Sequence, residues 1–544
     1  MTNAFFKVPT PVNEPILDYA PGSPERDELQ KTYAEMTAET IEIPLIIGGK
    51  EIKTGNLADC VMPHDHQKVI ARYHQADASH VAQAIEAAAE AWKTWSEMPW
   101  QERAAVFIKA AELLAGPYRQ ILNASTMMSQ GKTCFQAEID AACELIDFLR
   151  FNVEYMTDIY KEQPMVSPAP TWNRSEHRAL EGFVFAITPF NFTAICANLC
   201  ASPAMMGNVV LWKPSDTAVY SGYHIMKLWH EAGLPAGVIN FIPGPPQEIG
   251  AAALKHPDLA GIHFTGSTKT FQYLWKSVAE NIENYKSYPR LVGETGGKDF
   301  VFAHESADVP SLAAALVRGA FEYSGQKCSA ASRAYIPTNI WPEVKKRVGE
   351  MTAQITMGDV GDFSNFIGAV IDQRSFDKCA AFIAHAREAA DAEIAFGGET
   401  AGDKGFFVQP TVIETTNPHY KSMCEEIFGP ILTVYPYDPA KLDETLDLCD
   451  QTSPYALTGA IFGRDRGDLV MMADRLKHAA GNFYINDKPT GAVVGQQPFG
   501  GGRASGTNDK AGSKLNLLKW TSARSIKENF VPPTGFAYPH MLDS

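Results

Sequence analysis

The sequence predicts a mixed α/β protein with two α/β domains, and three observations support this fold class. Short apolar runs typical of buried strands alternate with helical patterns between residues 182 and 264, and again between about 295 and 500. Such alternation is typical of βαβ units that build parallel sheets. The chain has 544 residues, which is too long for a single hydrophobic core.

The first 160 residues predict an arm followed by helices. Residues 1–45 are rich in proline and charge and predict an arm on the surface. Amphipathic patterns predict helices over 79–92, with Asp77 or Ser79 as the N-cap, over 101–114 and over 134–155. Three prolines between 163 and 174 predict an excursion from the body, interpreted as a β-hairpin.

The remaining elements follow strand and helix signals in turn. Apolar runs predict strands over 182–187, 208–212, 238–242 and 261–264, with a helix over 221–232, and further strands over 300–302, 334–336 and 431–435. In such sheets the ligand crevice lies at the carboxyl ends of the strands. The last forty residues are partly apolar and are expected to pair with the hairpin or with another subunit.

Composition excludes several classes of partner and site. The net charge of −16 argues against nucleic acid or an anionic membrane as the main partner. The nine cysteines include no C-x-x-C pair, which predicts free thiols and no metal site, with Cys196 and Cys200 as small core residues. The N-terminus shows no signal or transit peptide pattern. We therefore expect a cytoplasmic protein, or a mitochondrial-matrix protein if a transit peptide has been removed.

Two turns carry the residues with the clearest chemistry. Cys328 lies in a glycine-containing turn after an apolar helical run, and Glu294 lies in an earlier small-residue turn after a buried strand. A thiol and a carboxylate are the groups needed to form a covalent thioester and then hydrolyse it. Asn191 follows the strand over 182–187, and its amide could stabilise an oxyanion. Alone, each residue has a structural alternative: a turn cysteine, a backbone-bonded acid and a turn asparagine.

Other strand ends carry groups suited to a dinucleotide. Lys213 could contact a ribose or phosphate, and Asp216 could accept a hydrogen bond from an adenosine 2′-hydroxyl. The turn from Gly266 to Thr270 joins a strand to a helix, so its N–H groups suit a pyrophosphate, although it is not a G-x-G-x-x-G motif. Glu425 and Glu426 are either a solvated turn or ribose ligands. Lys327 would slightly favour the thiolate of Cys328 if it pointed toward the sulfur.

Jointly these groups resemble the signatures of the aldehyde dehydrogenase superfamily. The resemblance covers roughly residues 45–525, and the matching segments are Asn191, Trp212–Ser215, Phe264–Ser267, Glu294 with Gly296–Lys298, Gly325–Cys328 and Glu425–Pro430. It implies that Cys328 attacks an aldehyde, that Asn191 and the Cys328 N–H hold the oxyanion, and that Glu294 activates water. It also implies NAD as cofactor, contacted by Thr188, Lys213, Asp216, Gly266, Ser267, Thr268, Lys269, Thr270, Glu426 and Phe428.

A narrower resemblance concerns the substrate. The runs Gly491–Gly501 and Arg503–Lys510, with 189–195, 22–26 and 136–140, resemble the branch of this superfamily that oxidises L-glutamate γ-semialdehyde. That branch implies substrate contacts from Ser329, Gly491, Ala492, Phe192, Phe499 and Glu144. The alternatives are another semialdehyde, such as succinic semialdehyde, or a non-catalytic protein that retains the fold.

The resemblance also implies a division of the chain and shows three departures. We expect an arm (1–45), an NAD-binding domain (46–160 and 182–293), a catalytic domain (294–522) and oligomerisation elements (161–181 and 523–544) that form a homodimer. Phe271 stands where many members have glycine, which puts the close approach of a phosphate in doubt. Thr295 replaces a common leucine, and Ala492 offers no hydroxyl, so a carboxylate there must rely on backbone N–H groups and Ser329.

Overall fold

The computed structural model describes residues 4–542, and its centre is formed by two seven-stranded sheets. The first sheet has, in spatial order, the strands Arg290–Glu294, Leu259–Thr265, Phe183–Ile187, Val209–Lys213, Ile239–Phe241, Leu45–Ile47 and Lys50–Ile52. The first five of these run parallel, and the last two are antiparallel additions at one edge. The predicted strands of this half are confirmed.

The second sheet repeats this architecture further along the chain. Its strands, in spatial order, are Ala392–Phe396, Thr411–Thr415, Ile431–Tyr437, Ala331–Pro337, Asp299–Ala303, Thr458–Phe462 and Asn482–Ile485. All neighbouring pairs are parallel except the first. Side chains alternate between two buried layers: Phe300 and Phe302 face one hydrophobic cluster, and Val301 and Ala303 face the other.

Helices cover both sheets, and smaller strand pairs lie around them. The α-helices are Pro24–Ala38, Ala78–Trp95, Trp100–Ala115, Arg119–Gln130, Cys134–Ala137, Leu145–Lys161, Thr193–Met205, Val219–Ala232, Pro246–Leu254, Thr268–Glu280, Val309–Phe321, Trp341–Thr352, Gln373–Glu388, Lys421–Cys424, Leu442–Gln451, Arg466–Arg475 and Lys514–Leu518. The smaller strand groups are Ile41–Ile43 with Asp65–His74 and Leu57–Met62, Thr400–Ala401 with Phe407–Val408, and Tyr455–Ala456 with Gly502–Arg503. Among the described residues, none of the helices combines the length and apolarity needed to cross a bilayer.

The helix Ala78–Trp95 shows how local sequence fixes an element. Asp77 is its N-cap, and the carboxylate accepts the N–H groups of Ser79 and His80 at 2.9 and 3.1 Å. These bonds satisfy donors that a helix start leaves unpaired. Val81 and Ala88 lie on the buried face. The predicted cap and helix are therefore confirmed.

The predicted helix over 134–155 is wrong in its middle. A π-helical segment, Glu138–Glu144, interrupts the α-helix between Cys134–Ala137 and Leu145–Lys161. The wider turn carries Asp140, which is fully buried and accepts the N–H groups of Thr193 and Ala194 at 2.9 and 2.8 Å. Such π segments often occur at functional sites. Here the segment caps the helix that begins directly after Asn191 and Phe192.

The predicted β-hairpin near residue 170 is also corrected. The segment contributes one strand, Thr171–Arg178, and its partner is the C-terminal strand Ser522–Asn529, which runs antiparallel to it. The two form a ribbon separate from both large sheets. The expectation that the C-terminal residues pair with this excursion is confirmed. The division into functional domains stays a prediction.

Candidate active site

Cys328 is presented by a turn with an unusual backbone. After the helix Val309–Phe321 ends, Tyr323, Ser324 and Gly325 all have positive φ, at 52°, 52° and 66°. This left-handed path is costly for residues other than glycine. The turn reverses the chain and leaves Cys328 half-buried.

The Cys328 turn and the Glu294 turn are in direct contact. A Cβ atom on Gly297 would lie 2.3 Å from the Cys328 carbonyl oxygen, so only glycine permits this approach. The Gly297 N–H donates to Glu426 Oε1 at 2.9 Å. Two turns that are distant in sequence thus form one site with Glu426.

Asn191 is held against the loop that leads to Cys328. Its side-chain Nδ2 donates to the Gln326 carbonyl oxygen at 3.0 Å, and the residue is buried. An amide NH₂ group carries two hydrogens, so one N–H remains for an oxyanion. The structure therefore places the predicted donor beside the predicted nucleophile's loop.

Glu294 is the final residue of Arg290–Glu294, an edge strand of the first sheet, and it lies close to Gly500 and Gly501. The Gly501 N–H lowers the pKa of this carboxyl, while Oε2 is buried with no hydrogen-bond partner among the described residues. Burial raises the pKa of Glu294 well above its usual range. Lys510 is nearby: its Nζ donates to the carbonyls of Gly481 and Gly500, both at 2.8 Å.

The charged side chains that act on the Cys328 thiol are carboxylates. Burial raises the pKa of Cys328 well above its usual range, and the charges of Asp299 and Glu294 raise it further. Lys327 does not offset this effect, because its Nζ forms an ion pair with Glu322 at 3.0 Å. The alternative in which Lys327 points away from the sulfur therefore holds, and the surroundings of Cys328 favour the neutral thiol.

A cavity of about 380 Å³ opens on Cys328. The predicted substrate residues Ser329, Gly491, Ala492, Phe192, Phe499 and Glu144 all line it. The Ser329 and Thr490 hydroxyls form a hydrogen bond of 2.7 Å, so Thr490 orients Ser329. Burial, followed by the charge of Asp140, raises the pKa of Glu144 to about 8. Asn191 and Glu294 are not among the described residues that line this cavity.

The predicted cofactor residues lie at the carboxyl ends of the first sheet and at the Glu426 loop. Lys213 is buried, and its Nζ forms an ion pair with the exposed Asp216 at 3.1 Å. Thr188 Oγ1 accepts the Trp212 indole N–H at 2.9 Å. In the turn 266–270, the N-cap Ser267 accepts the Thr270 N–H at 3.2 Å, while Thr268 Oγ1 donates to the Ala504 carbonyl at 3.4 Å.

The acidic pair near residue 425 separates into two environments. Glu425 is exposed, whereas Glu426 is half-buried against Gly297. Phe428 has a positive φ of 65°, and its ring packs edge-on against Phe190 at 5.7 Å between centroids. The solvated alternative therefore holds for Glu425 and not for Glu426.

Comparison with known proteins decides the family. The family model described as "Aldehyde dehydrogenase family" matches residues 51–526. The chain belongs to the aldehyde dehydrogenase family. A relative named Delta-1-pyrroline-5-carboxylate dehydrogenase, mitochondrial, from Dictyostelium discoideum is 54% identical over 98% of this chain and 96% of its own.

Further relatives carry the same name. The human Delta-1-pyrroline-5-carboxylate dehydrogenase, mitochondrial, is 48% identical over 97% of this chain and 94% of its own. The crystal structure of the Mycobacterium tuberculosis Delta-pyrroline-5-carboxylate dehydrogenase bound with NAD is 51% identical and superposes with a TM-score of 0.96, covering 100% of both chains. The expected aldehyde dehydrogenase fold is thereby confirmed.

Two departures from the common aldehyde dehydrogenase pattern now have structural accounts. The Phe271 ring is buried and stacks on Phe264 at 5.5 Å, so it fills the core beneath the turn 266–270. The Thr295 hydroxyl donates to the Ala504 carbonyl at 2.6 Å, which satisfies a polar group where an apolar leucine is common.

Several polar residues of this aldehyde dehydrogenase site were not predicted from its sequence. Lys298 and Asp299 are buried beside Gly297, and Lys298 Nζ has no hydrogen-bond partner within the described range. Burial lowers the pKa of Lys298 to about 7 and raises that of Asp299 to about 8. Lys132 pairs with Asp140 at 2.6 Å and lies 3.9 Å from the centre of the Phe192 ring. A buried lysine next to a turn gives no periodic pattern, which is why sequence reasoning missed it.

Proposed function

We propose that this chain oxidises L-glutamate γ-semialdehyde, which is in equilibrium with Δ1-pyrroline-5-carboxylate, to L-glutamate with NAD as the oxidant. The observation that carries the proposal is one cavity in which Cys328 meets all the residues predicted to bind this substrate. The relatives named for Δ1-pyrroline-5-carboxylate support the same substrate. The reaction is the second step of proline catabolism.

The proposed chemistry begins at Cys328 and ends at Glu294. The Cys328 thiol gives its proton to water, and the thiolate attacks the aldehyde carbon, so that a C–S bond forms while the carbonyl π bond breaks to an oxyanion. The second N–H of Asn191 and the Cys328 N–H donate to the resulting oxyanion. When bound, NAD would supply the oxidation as the acceptor of the hydride from that carbon, and the oxyanion would collapse to a thioester on Cys328. Glu294 then takes a proton from water, the hydroxide attacks the thioester carbon, and the C–S bond breaks to release L-glutamate.

The residues present fit the nicotinamide dinucleotide. Lys213 and Asp216 supply a cation and an exposed carboxylate at one strand end, as ribose hydroxyls require. The helix Thr268–Glu280 begins at the carboxyl end of a strand of the first sheet, and the start of a helix suits a pyrophosphate. Glu426 faces inward between the two catalytic turns, and Phe428 lies next to it. We propose that these groups hold NAD while the domain of residues 294–522 supplies Cys328.

A substrate panel tests this function. NADH or NADPH formation is measured with glutamate semialdehyde, succinic semialdehyde and uncharged aldehydes, using NAD and NADP in parallel. We expect the highest kcat/KM for glutamate semialdehyde with NAD and no turnover by Cys328→Ala, whose NAD affinity should be retained. A higher kcat/KM for succinic semialdehyde would identify the other substrate, and inactivity with every aldehyde would favour a non-catalytic protein.

The assembly and location are part of the same proposal. We propose a homodimer joined through the ribbon of Thr171–Arg178 and Ser522–Asn529, with the arm, cofactor and catalytic divisions predicted above. We also propose that the enzyme acts in the cytoplasm or the mitochondrial matrix. Relatives named as mitochondrial support the second location, and fractionation of cells that express the tagged chain would distinguish the two.

A further inference from the structure

Lys488 is a charged residue of the substrate cavity to which the proposed reaction assigns no role. It lines the cavity with Cys328 and Ser329. Its Nζ lies 3.2 Å from the position of a Cβ on Gly491, at the start of the run predicted to receive the substrate carboxylate. A Cβ placed on Gly319 would lie 3.4 Å from the Lys488 Cβ, so the two residues are neighbours. The methylene chain of Lys488 is therefore packed near Gly319, and its ammonium lies at the start of the run Gly491–Gly501.

The charges at this end of the cavity leave Lys488 without a partner. Arg318 and Lys327 also line the cavity, and both form ion pairs with Glu322, at 3.1 and 3.0 Å. Within residues 4–542, no acid lies within 4.0 Å of the Lys488 Nζ. Arg318 and Lys327 thus share a single carboxylate, and Lys488 pairs with none in the described structure. This end of the cavity has a surplus of positive charge.

The other acids that line the cavity are engaged elsewhere or lie apart from Lys488. Glu14 bonds Arg119 and Arg150 at 2.6 and 2.7 Å. Asp147 accepts the Asn13 amide and the Glu14 N–H, both at 2.7 Å. Burial raises the pKa of Glu322, but the charges of Lys327 and Lys488 outweigh it and hold that pKa below its usual range. Lys488 therefore already acts on this end of the cavity electrostatically.

The donors previously assigned to the substrate carboxylate are all neutral. They are the Ser329 hydroxyl and the backbone of Gly491 and Ala492. A carboxylate that leaves water is strongly destabilised unless it meets an opposite charge. The segment 488–492 brings a cation, the Thr490 hydroxyl bonded to Ser329, and the backbone donors to one place.

We propose that Lys488 is a specificity-determining residue that binds the α-carboxylate of the substrate. This inference rests on the proposed function and adds the charge that selects an aldehyde bearing a carboxylate at its far end. An uncharged aldehyde of similar length makes no use of Lys488. The residue therefore affects substrate binding and not the chemistry at Cys328.

The test compares Lys488→Met and Lys488→Arg with two substrates, glutamate semialdehyde and butanal. For Lys488→Met we expect KM for glutamate semialdehyde to rise about tenfold or more with kcat nearly unchanged. KM for butanal should stay within about twofold, and Lys488→Arg should recover most of the loss. Lys477→Met is the matched control, because Lys477 forms an exposed ion pair with Asp474 and does not line the cavity.

The outcomes separate this inference from the function on which it rests. If the unmodified protein does not oxidise glutamate semialdehyde, the proposed function fails and the assignment of Lys488 fails with it. If the protein is active but Lys488→Met changes both substrates equally, or neither, only the assignment is overturned. Titration with L-glutamate gives a second readout, since Lys488→Met should weaken its binding by a similar factor without any turnover.

Discussion

Glu294 is a carboxyl group whose neutral form the fold favours. Its Oε2 is buried with no hydrogen-bond partner in the described structure, and burial is the main cause of its raised pKa. A neutral carboxyl cannot accept a proton from water, so the proposed base must first ionise. Thioester hydrolysis is therefore expected to accelerate as the pH rises through this raised pKa.

Replacing Glu294 by glutamine tests its role as the base. Glu294→Gln keeps the shape of the side chain but cannot accept a proton. We expect a burst of NADH of about one equivalent per site, followed by a steady-state rate lower by roughly a hundredfold or more. Mass spectrometry should detect the acyl group on Cys328. Glu425→Gln, at an exposed acid, is the control, and normal steady-state turnover by Glu294→Gln would remove the proposed base.

Lys510 tunes the same carboxyl through its charge. Its ammonium lowers the pKa of Glu294 relative to burial alone, and it is fixed by the carbonyls of Gly481 and Gly500. Lys510→Met should therefore raise the pKa of Glu294 further and move the rising limb of the pH–rate profile to higher pH. Lys510→Arg should move it less. A loss of rate that is the same at every pH would indicate a structural effect only.

At the scale of elements, regular patterns were predictable and close contacts were not. Strands over 182–187 and 300–302 follow from apolar runs bounded by turns, and Asp77 follows from cap chemistry. The π segment Glu138–Glu144 was not predicted because its residues fit an α-helical pattern. The deciding contact is tertiary: the buried Asp140 accepts an N–H group at the start of the helix Thr193–Met205. Tertiary contacts of this kind override local preference.

The same distinction holds for the site. Cys328, Glu294 and Asn191 were recognisable together because their segments jointly resemble family signatures, whereas each residue alone had a structural alternative. The residue types alone did not distinguish Glu426 from Glu425; the family resemblance implied Glu426, and the fold turns that residue toward Gly297. Lys488 and Lys510 were missed because a lysine in a loop is usually solvated.

The arm is attached to the body by an ion-pair network centred on Arg119. This guanidinium pairs with Glu138, which is fully buried, and with Glu14 of the arm at 2.6 Å. Although burial raises the pKa of Glu138, its hydrogen bond with Arg119 holds it below the usual range. A depressed pKa means that this stabilisation is present at neutral pH and is lost as the pH falls through the folded-state pKa.

Removing Arg119 should destabilise the fold in a pH-dependent way. Arg119→Met leaves Glu138 buried without its cation, which costs about 3–5 kcal/mol in free energy of unfolding. The deficit should narrow at acid pH, because protonation neutralises the stranded carboxylate. Denaturant unfolding at several pH values measures the difference in free energy of unfolding between Arg119→Met and the unmodified protein. The exposed Arg475→Met should change the free energy by less than about 1 kcal/mol. An equal deficit at every pH would contradict the ion-pair account.

At the scale of the whole molecule, the site depends on both sheets at once. Glu294 ends the edge strand Arg290–Glu294 of the first sheet, and Asp299 begins the strand Asp299–Ala303 of the second, so only four residues join them. Within those four residues Gly297 contacts Cys328. The predicted cofactor residues at the first sheet and the predicted nucleophile at the second are thus linked by a short connection. This explains why the two halves can serve a single reaction.

The ribbon of Thr171–Arg178 and Ser522–Asn529 is the part of the molecule that a second copy is expected to cover. A two-stranded ribbon is marginally stable alone, and its outer edges expose unpaired backbone groups. Apolar side chains at one end of it, Trp172, Phe530 and Val531, are 51%, 60% and 69% exposed. Burial of such groups favours association through the hydrophobic effect.

Charge introduced at this end of the ribbon should therefore separate the proposed dimer. We expect the double variant Phe530→Glu/Val531→Glu to have the mass of a monomer by light scattering after size exclusion. Its thermal stability should be lower, because association no longer contributes to it. Val470→Glu is the matched control, because Val470 is 54% exposed on the helix Arg466–Arg475, away from the ribbon. An unchanged mass for the double variant would exclude the ribbon as the dimer contact. Retained activity in a monomeric variant would show that one chain is enough to form the cavity. The lining residues, which come from Asn13 to Ala511 of a single chain, indicate the same.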